Sequence, residues 1–190
     1  MSAADWLSWD DTVPVYDFDT ELALSKGVDP DGPDSVLLSS IPDALRVEAA
    51  TEAEDRSGVD RWVVCAGERR IGVDIKRRKR DYSAIFDDAD DLALESWSVI
   101  GKKRGWTLDP TKRCEYILWW WADTGRWCLI PFVMLRAVFS EHLDEWRLLY
   151  QPFEQATSAR AGGAGWRSEC LFVPRLIVWR AIYQRFGGAR

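Results

Sequence analysis

The chain has 190 residues, 47% of them hydrophobic and 29% charged, with a formal net charge of −6. That length and apolar content suit one globular domain with a real core and exclude a disordered or low-complexity chain. No apolar run approaches the roughly 18–20 residues of a membrane-spanning helix, so no membrane partner is expected.

The acidity is unevenly spread. Residues 1–60 carry 3 Lys+Arg against 15 Asp+Glu, residues 61–113 carry 13 against 9, and residues 114–190 carry 9 against 7. Past Asp60 the body is mildly basic, which is compatible with a phosphate backbone as partner. Cys65, Cys114, Cys128 and Cys170 stand singly in apolar runs without metal-ligand spacing, so they are expected to be buried free thiols of a reducing cytoplasm. Met1 is followed by acidic and polar residues, and a cytoplasmic location without a secretory leader is expected. The 12 tryptophans call for a core rich in large flat surfaces.

Residues 1–34 mix aromatics with acids and end in the turn formers Asp29-Pro30-Asp31-Gly32-Pro33-Asp34, which predicts an acidic N-terminal arm before a folded domain over 35–190. Ser35 to Arg56 is predicted to be helical in two pieces broken at Pro42. Leu45, Ala49 and Ala53 form its apolar stripe, and Glu48 and Glu52 share another face at i, i+4.

Gly58 to Lys76 predicts a β-hairpin: two apolar runs bracket the polar segment Ala66-Gly67-Glu68-Arg69-Arg70. In the second strand Ile71, Val73 and Ile75 alternate with Gly72, Asp74 and Lys76, so Asp74 and Lys76 share a face. Asp60 opens the partner strand, where antiparallel pairing brings it close to Asp74. Phosphodiester hydrolysis needs an in-line water, a counter-charge for the phosphoryl oxygens and help for the leaving oxygen. Clustered carboxylates hold Mg²⁺ (or Mn²⁺), which acts as Lewis acid and acidifies its water. Asp60 and Asp74 are therefore the candidate metal ligands and Lys76 the candidate catalytic cation.

This Asp-(x)13-Asp-x-Lys arrangement resembles the active-site motif of the PD-(D/E)xK nuclease superfamily, the restriction-endonuclease-like and Holliday-junction-resolvase-like enzymes. The likeness spans Asp43 to Arg147. It implies an α/β fold with a central mixed, twisted sheet flanked by helices, and a metal-dependent nuclease acting on double-stranded or branched DNA. It further implies a glutamate on the helix before the hairpin as an extra metal ligand, a place that Glu48 or Glu52 would fill. Duplex cutters of this kind often pair so that two sites meet two strands, which leaves both a monomer and a homodimer open, and the wider layout resembles small nuclease-like proteins of phages and mobile elements. Two alternatives share the fold: a catalytically silent nucleic-acid-binding protein, and an interaction protein whose acidic arm engages another nucleic-acid enzyme.

Downstream, Lys76 to Arg80 is a run of five basic residues, and alternation points Arg78 and Arg80 to the side of Asp74, where a scissile phosphate would lie. Asp81 to Asp91 is expected to be an acidic loop. Leu92 to Val99 predicts a third strand, with Glu95 as an additional candidate ligand. Lys102, Lys103 and Arg104 form a basic, glycine-bounded loop before Trp106 and are candidate backbone contacts. Arg113 to Trp121 predicts a central buried strand whose three tryptophans pack the core. After a turn at Asp123 to Arg126 and a returning strand, Pro131 is placed at the start of an amphipathic helix with Phe132, Leu135, Phe139, Leu143 and Trp146 inward. Gln151 to Arg167 is expected to be a loop, and a final helix begins at Pro174.

Overall fold

The structure, a computed structural model, describes residues 15–17, 32–86, 89–158 and 165–187. In chain order the elements are β1 (Val15–Asp17), α1 (Pro33–Ser40), β2 (Ala44–Ala49), α2 (Glu52–Arg56), β3 (Arg61–Cys65), β4 (Arg70–Arg78) and β5 (Asp91–Val99). They continue with β6 (Lys103–Arg104), β7 (Tyr116–Trp121), β8 (Trp127–Pro131), α3 (Phe132–Leu149), β9 (Phe153–Ser158), β10 (Trp166–Pro174) and α4 (Arg175–Phe186). The fold is mixed α/β, and the chain divides into two compact units, each built on its own five-stranded sheet, where a single sheet was expected. Apart from β1 and the start of α1, the acidic arm lies outside the described residues.

The first unit comprises Ser25–Asp81 and Pro110–Val133. Its sheet has the order β2-β3-β4-β7-β8, antiparallel throughout except for the parallel pair β4 and β7. The expected hairpin is the β3–β4 pair, turning through Gly67 at φ +70°, a left-handed value that glycine adopts without cost. β-Branched residues fill one face of these strands: Val63, Ile71 and Val73 pack with Leu118 and Trp120 against Val36 and Leu37 of α1 and Ile41 just after it. Each fully buried aliphatic here, such as Leu37 or Val73, contributes about 1.5–3 kcal/mol. α1 starts at Pro33, whose missing N–H costs nothing at a helix start, and Asp34 of its first turn accepts a hydrogen bond from Arg61 Nε at 3.1 Å. α1 therefore covers the face of the sheet opposite to Asp74, since Val73 and Asp74 are consecutive on one strand.

Residues 44–49 are a strand where a helix was expected. Ala44, Leu45, Glu48 and Ala49 are good helix formers, but the segment pairs with β3 from Ala44↔Cys65 to Ala49↔Arg61, and tertiary pairing overrides the propensity. The turn from β2 to β3 is α2, five residues held by a capping box in which Thr51 Oγ1 accepts from Glu54 N and Glu54 Oε2 accepts from Thr51 N at 2.8 Å. Asp81, expected in a loose acidic loop, is 2% exposed and clasped by Arg126, with Nε to Oδ2 at 2.5 Å and Nη2 to Oδ1 at 2.8 Å. Thr124 Oγ1 adds a third hydrogen bond at 3.0 Å, so the turn before β8 is pinned to the end of β4. The three tryptophans of β7 are buried and pack the core as expected.

The second unit comprises Met1–Leu24, Tyr82–Asp109 and Met134–Arg190, with the sheet order β1-β9-β10-β5-β6. β9 occupies part of the segment expected to be a loop, because its polar sequence finds a partner in β10. α3 begins at Phe132, one residue after Pro131, which closes β8. Leu135, Phe139 and Trp146 of α3 are buried, and His142 stacks on Trp146 and bonds to Glu145. Among the described residues no helix is long and apolar enough to cross a membrane.

Candidate active site

The centre of the first unit's sheet carries a charged cluster. On β4, Gly72, Asp74 and Lys76 share the face away from α1, and Asp74 pairs in register with Ile117 of β7. Being flanked by two strands buries Asp74 to 3% exposure, deeper than the half-exposed position that alternation alone predicts. Lys76 Nζ lies 2.8 Å from its Oδ1. The other oxygen, Oδ2, accepts from Lys112 Nζ, a residue that precedes β7.

Asp60 joins from the start of β3. Its N–H donates to Val73 O at 2.8 Å, and its Oδ2 accepts from Ile75 N at 2.6 Å, so the carboxylate is fixed over the peptide next to Asp74. α2 sets this entry: Gly58 N donates to Asp55 O at 2.8 Å and Val59 N to Glu54 O at 3.1 Å, turning the chain into β3. Gly58, at φ +86°, makes this turn and leaves room for Lys112. Glu115 closes the cluster's edge by accepting from Gly72 N at 2.6 Å, while its own N–H donates to Gly72 O.

The electrostatics of the two aspartates differ in sign. Burial and then the neighbouring Asp74 charge push Asp60 up to about 6, against the pull of Lys76 and the Ile75 N–H. Burial also opposes the charge on Asp74, but Lys76 and Lys112 outweigh it and hold its carboxyl below the ordinary value. Cys114 is buried beside this cluster, and burial followed by the Asp74 charge pushes its thiol up to about 12, so it is an inert thiol at neutral pH.

The structure brings together Asp60, Asp74 and Lys76 of the expected residues, and does not bring the three glutamates to them. Glu48 lies on β2 opposite Trp62, two strands from Asp74, and is taken by Arg46 at 2.8 Å and Arg70 at 3.2 Å. Glu52 lies on α2 in an exposed i, i+4 pair with Arg56. Glu95 belongs to the second unit's sheet, where its Oε2 accepts from Trp106 N at 2.8 Å and Ser98 Oγ at 2.6 Å. It braces the turn that carries Lys102, Lys103 and Arg104, all exposed, with Arg104 stacked 4.4 Å over Trp97. Arg78 ends β4 on the Asp74 face and Arg80 lies just beyond the strand.

Lys112 is the member that sequence reasoning missed. It stands 38 residues beyond Asp74, and the Tyr82–Asp109 segment of the other unit intervenes, so only the parallel β4–β7 pairing reveals it. The available signal was a Lys-Arg pair two residues ahead of a fully apolar strand.

Among the described residues no three His, Cys, Asp or Glu side chains gather as a metal-holding group. Two carboxylates are nevertheless an adequate donor set for Mg²⁺, which keeps several waters and is commonly held by one or two carboxylates. Burial first and the Asp74 charge second raise Asp60, and a divalent ion between the pair would offset both. The chain matches no protein-family model, no curated protein and no solved structure.

Proposed function

We propose that the first unit is the catalytic centre of a Mg²⁺-dependent nuclease that hydrolyses phosphodiester bonds of DNA, on a restriction-endonuclease-like core. The observation that carries this reading is a carboxylate pair gathered with lysines in a dry site: a buried Asp74 beside an Asp60 that burial and then the Asp74 charge raise to about 6, with Lys76 on the same face. Arrangements that hold like charges together at a cost to stability are concentrated at functional sites.

Asp60 and Asp74 would hold the ion, which when bound supplies Lewis acidity and a more acidic water. Lys76 orients the attacking water and neutralises charge developing on the phosphoryl oxygens, a role that its position on the Asp74 face allows. The bond from the Asp60 N–H to Val73 O fixes its backbone and the bond from Ile75 N–H fixes its carboxylate, so its geometry is set before substrate arrives. Arg78 and Arg80 extend the end of β4 with positive charge suited to flanking phosphates, whereas the basic turn of Lys102, Lys103 and Arg104 belongs to the other unit.

The experiment is a supercoiled-plasmid and branched-duplex assay with Mg²⁺, comparing the protein with Asp74→Asn. The variant should lose cleavage by on the order of a thousandfold or more. Equal cleavage by both, or none by either, removes the enzyme reading. One observation favours a second reading, a nucleic-acid-binding protein without cleavage: both oxygens of Asp74 are already matched by lysines. Retained DNA binding with no Mg²⁺-dependent cleavage on any substrate would select it.

A further inference from the structure

Lys112 is held at Asp74 with more fit than a surface ion pair requires. Its side chain is only 13% exposed, and it runs across Gly58 so closely that a methyl group there would sit 2.8 Å from Nζ, 2.9 Å from Cγ and 3.0 Å from Cδ. Gly58 thus forms a notch fitted to the length of this side chain. Its backbone turn at φ +86° is the one that leads into Asp60. The two lysines divide Asp74 between them, Lys76 on Oδ1 and Lys112 on Oδ2. Lys76 comes from the same strand two residues on, whereas Lys112 comes from a segment 38 residues away whose Arg113 N–H anchors on Ser57 O at 3.0 Å.

We propose that Lys112 is a built-in cation that a divalent ion must displace from Asp74, so that metal binding is weakened until nucleic acid draws the ammonium away. The proposal rests on the metal-site reading above. A carboxylate oxygen in contact with an ammonium is a poor ligand for a second cation, and two positive centres on one buried carboxylate repel strongly in a low-dielectric site. Lys112 has a flexible four-carbon stem and a compact charge that suits a phosphate oxygen as well as a carboxylate. A phosphate placed at the site would offer the ammonium a new partner and release Oδ2 to the ion. Metal and nucleic acid would then bind with positive coupling, each tightening the other by the same factor.

The test is calorimetric Mn²⁺ titration of the full chain without nucleic acid, for the wild type, Lys112→Met, Lys112→Gln, Lys112→Arg and Asp74→Asn. Lys112→Gln keeps a hydrogen-bond donor for Asp74 and covers the case in which Lys112→Met folds poorly, which near-ultraviolet circular dichroism reports. Lys112→Met and Lys112→Gln should bind Mn²⁺ more tightly by on the order of tenfold or more, Lys112→Arg, which keeps the positive charge, should show no such gain, and Asp74→Asn should abolish binding. Binding that depends on Asp74 but is unchanged or weaker in Lys112→Met and Lys112→Gln overturns the competition and leaves the metal site standing. Absence of Asp74-dependent Mn²⁺ binding in every variant overturns both.

Discussion

Two buried carboxylate clusters lie on the same sheet, and they are built to opposite standards. Asp81 receives a two-pronged Arg126 contact and a Thr124 hydroxyl, its N–H donates to the Asp123 carboxylate, and together these pin the turn before β8. Asp74 faces a second carboxylate and shares two lysines, and the pair is left with one member pushed up to about 6. The second gathers two carboxylates and two lysines in a dry place, and shifted titratable groups of this kind are concentrated at functional sites.

Breaking the clamp should give the largest change in stability. Asp81→Ala strips the partly exposed Arg126 and the Thr124 hydroxyl of their buried partner and should cost about 2–4 kcal/mol in chemical denaturation, while any Mn²⁺ binding of the folded fraction should stay as in the wild type. If instead Asp81→Ala leaves stability unchanged and removes metal binding, the two clusters have been assigned the wrong way round.

Asp60→Asn should move stability in the other direction. A carboxyl raised from 3.8 to about 6 makes the folded state hold a proton that the unfolded chain has lost. Its contribution is therefore full below about pH 4 and is lost as pH rises through 6. At pH 8 the ionised Asp60 is a burden, and Asp60→Asn, whose side-chain oxygen can still accept from Ile75 N, should stabilise the metal-free protein by about 1–3 kcal/mol, after allowance for partial exposure. Asp74 has the reverse linkage: held below its ordinary value, it contributes stability above the unfolded value and loses it as pH falls. Denaturation at pH 5 and pH 8, wild type against Asp60→Asn, isolates the first slope. A loss of stability in Asp60→Asn at pH 8 would make this carboxylate a structural one.

The smallest effects sharpen the site's boundary. Glu52→Gln and Glu48→Gln should each leave Mg²⁺-dependent cleavage within about twofold and stability within about 0.5 kcal/mol, since exposed ion pairs contribute little. Cys114 should resist iodoacetamide at pH 8 in the folded protein, measured by mass spectrometry, because its thiol is buried and raised to about 12.

What the sequence disclosed was local. The β3–β4 hairpin, the apolar β7 with its tryptophans, and the amphipathic α3 follow from periods of two and of three to four, and they carry Asp60, Asp74 and Lys76 to one place. What escaped was set by distant partners. Ala44–Ala49 has a helix-forming composition and becomes a strand through pairing with β3, which removes Glu48 from the helix where the metal role needed it. The segment around Glu95 reads correctly as a strand, but nothing in its alternation tells which sheet it joins, and it joins the second. Lys112 reaches Asp74 across a whole inserted segment, a contact with no local signature.

The central claim is that Asp60 and Asp74 share one divalent ion, and anomalous diffraction from crystals soaked in Mn²⁺ tests it most directly. The account predicts an anomalous peak about 2.0–2.3 Å from one oxygen of each carboxylate, with Lys112 moved off Oδ2. A peak bound elsewhere, or none with Lys112 still seated on Asp74 at saturating Mn²⁺, would contradict it.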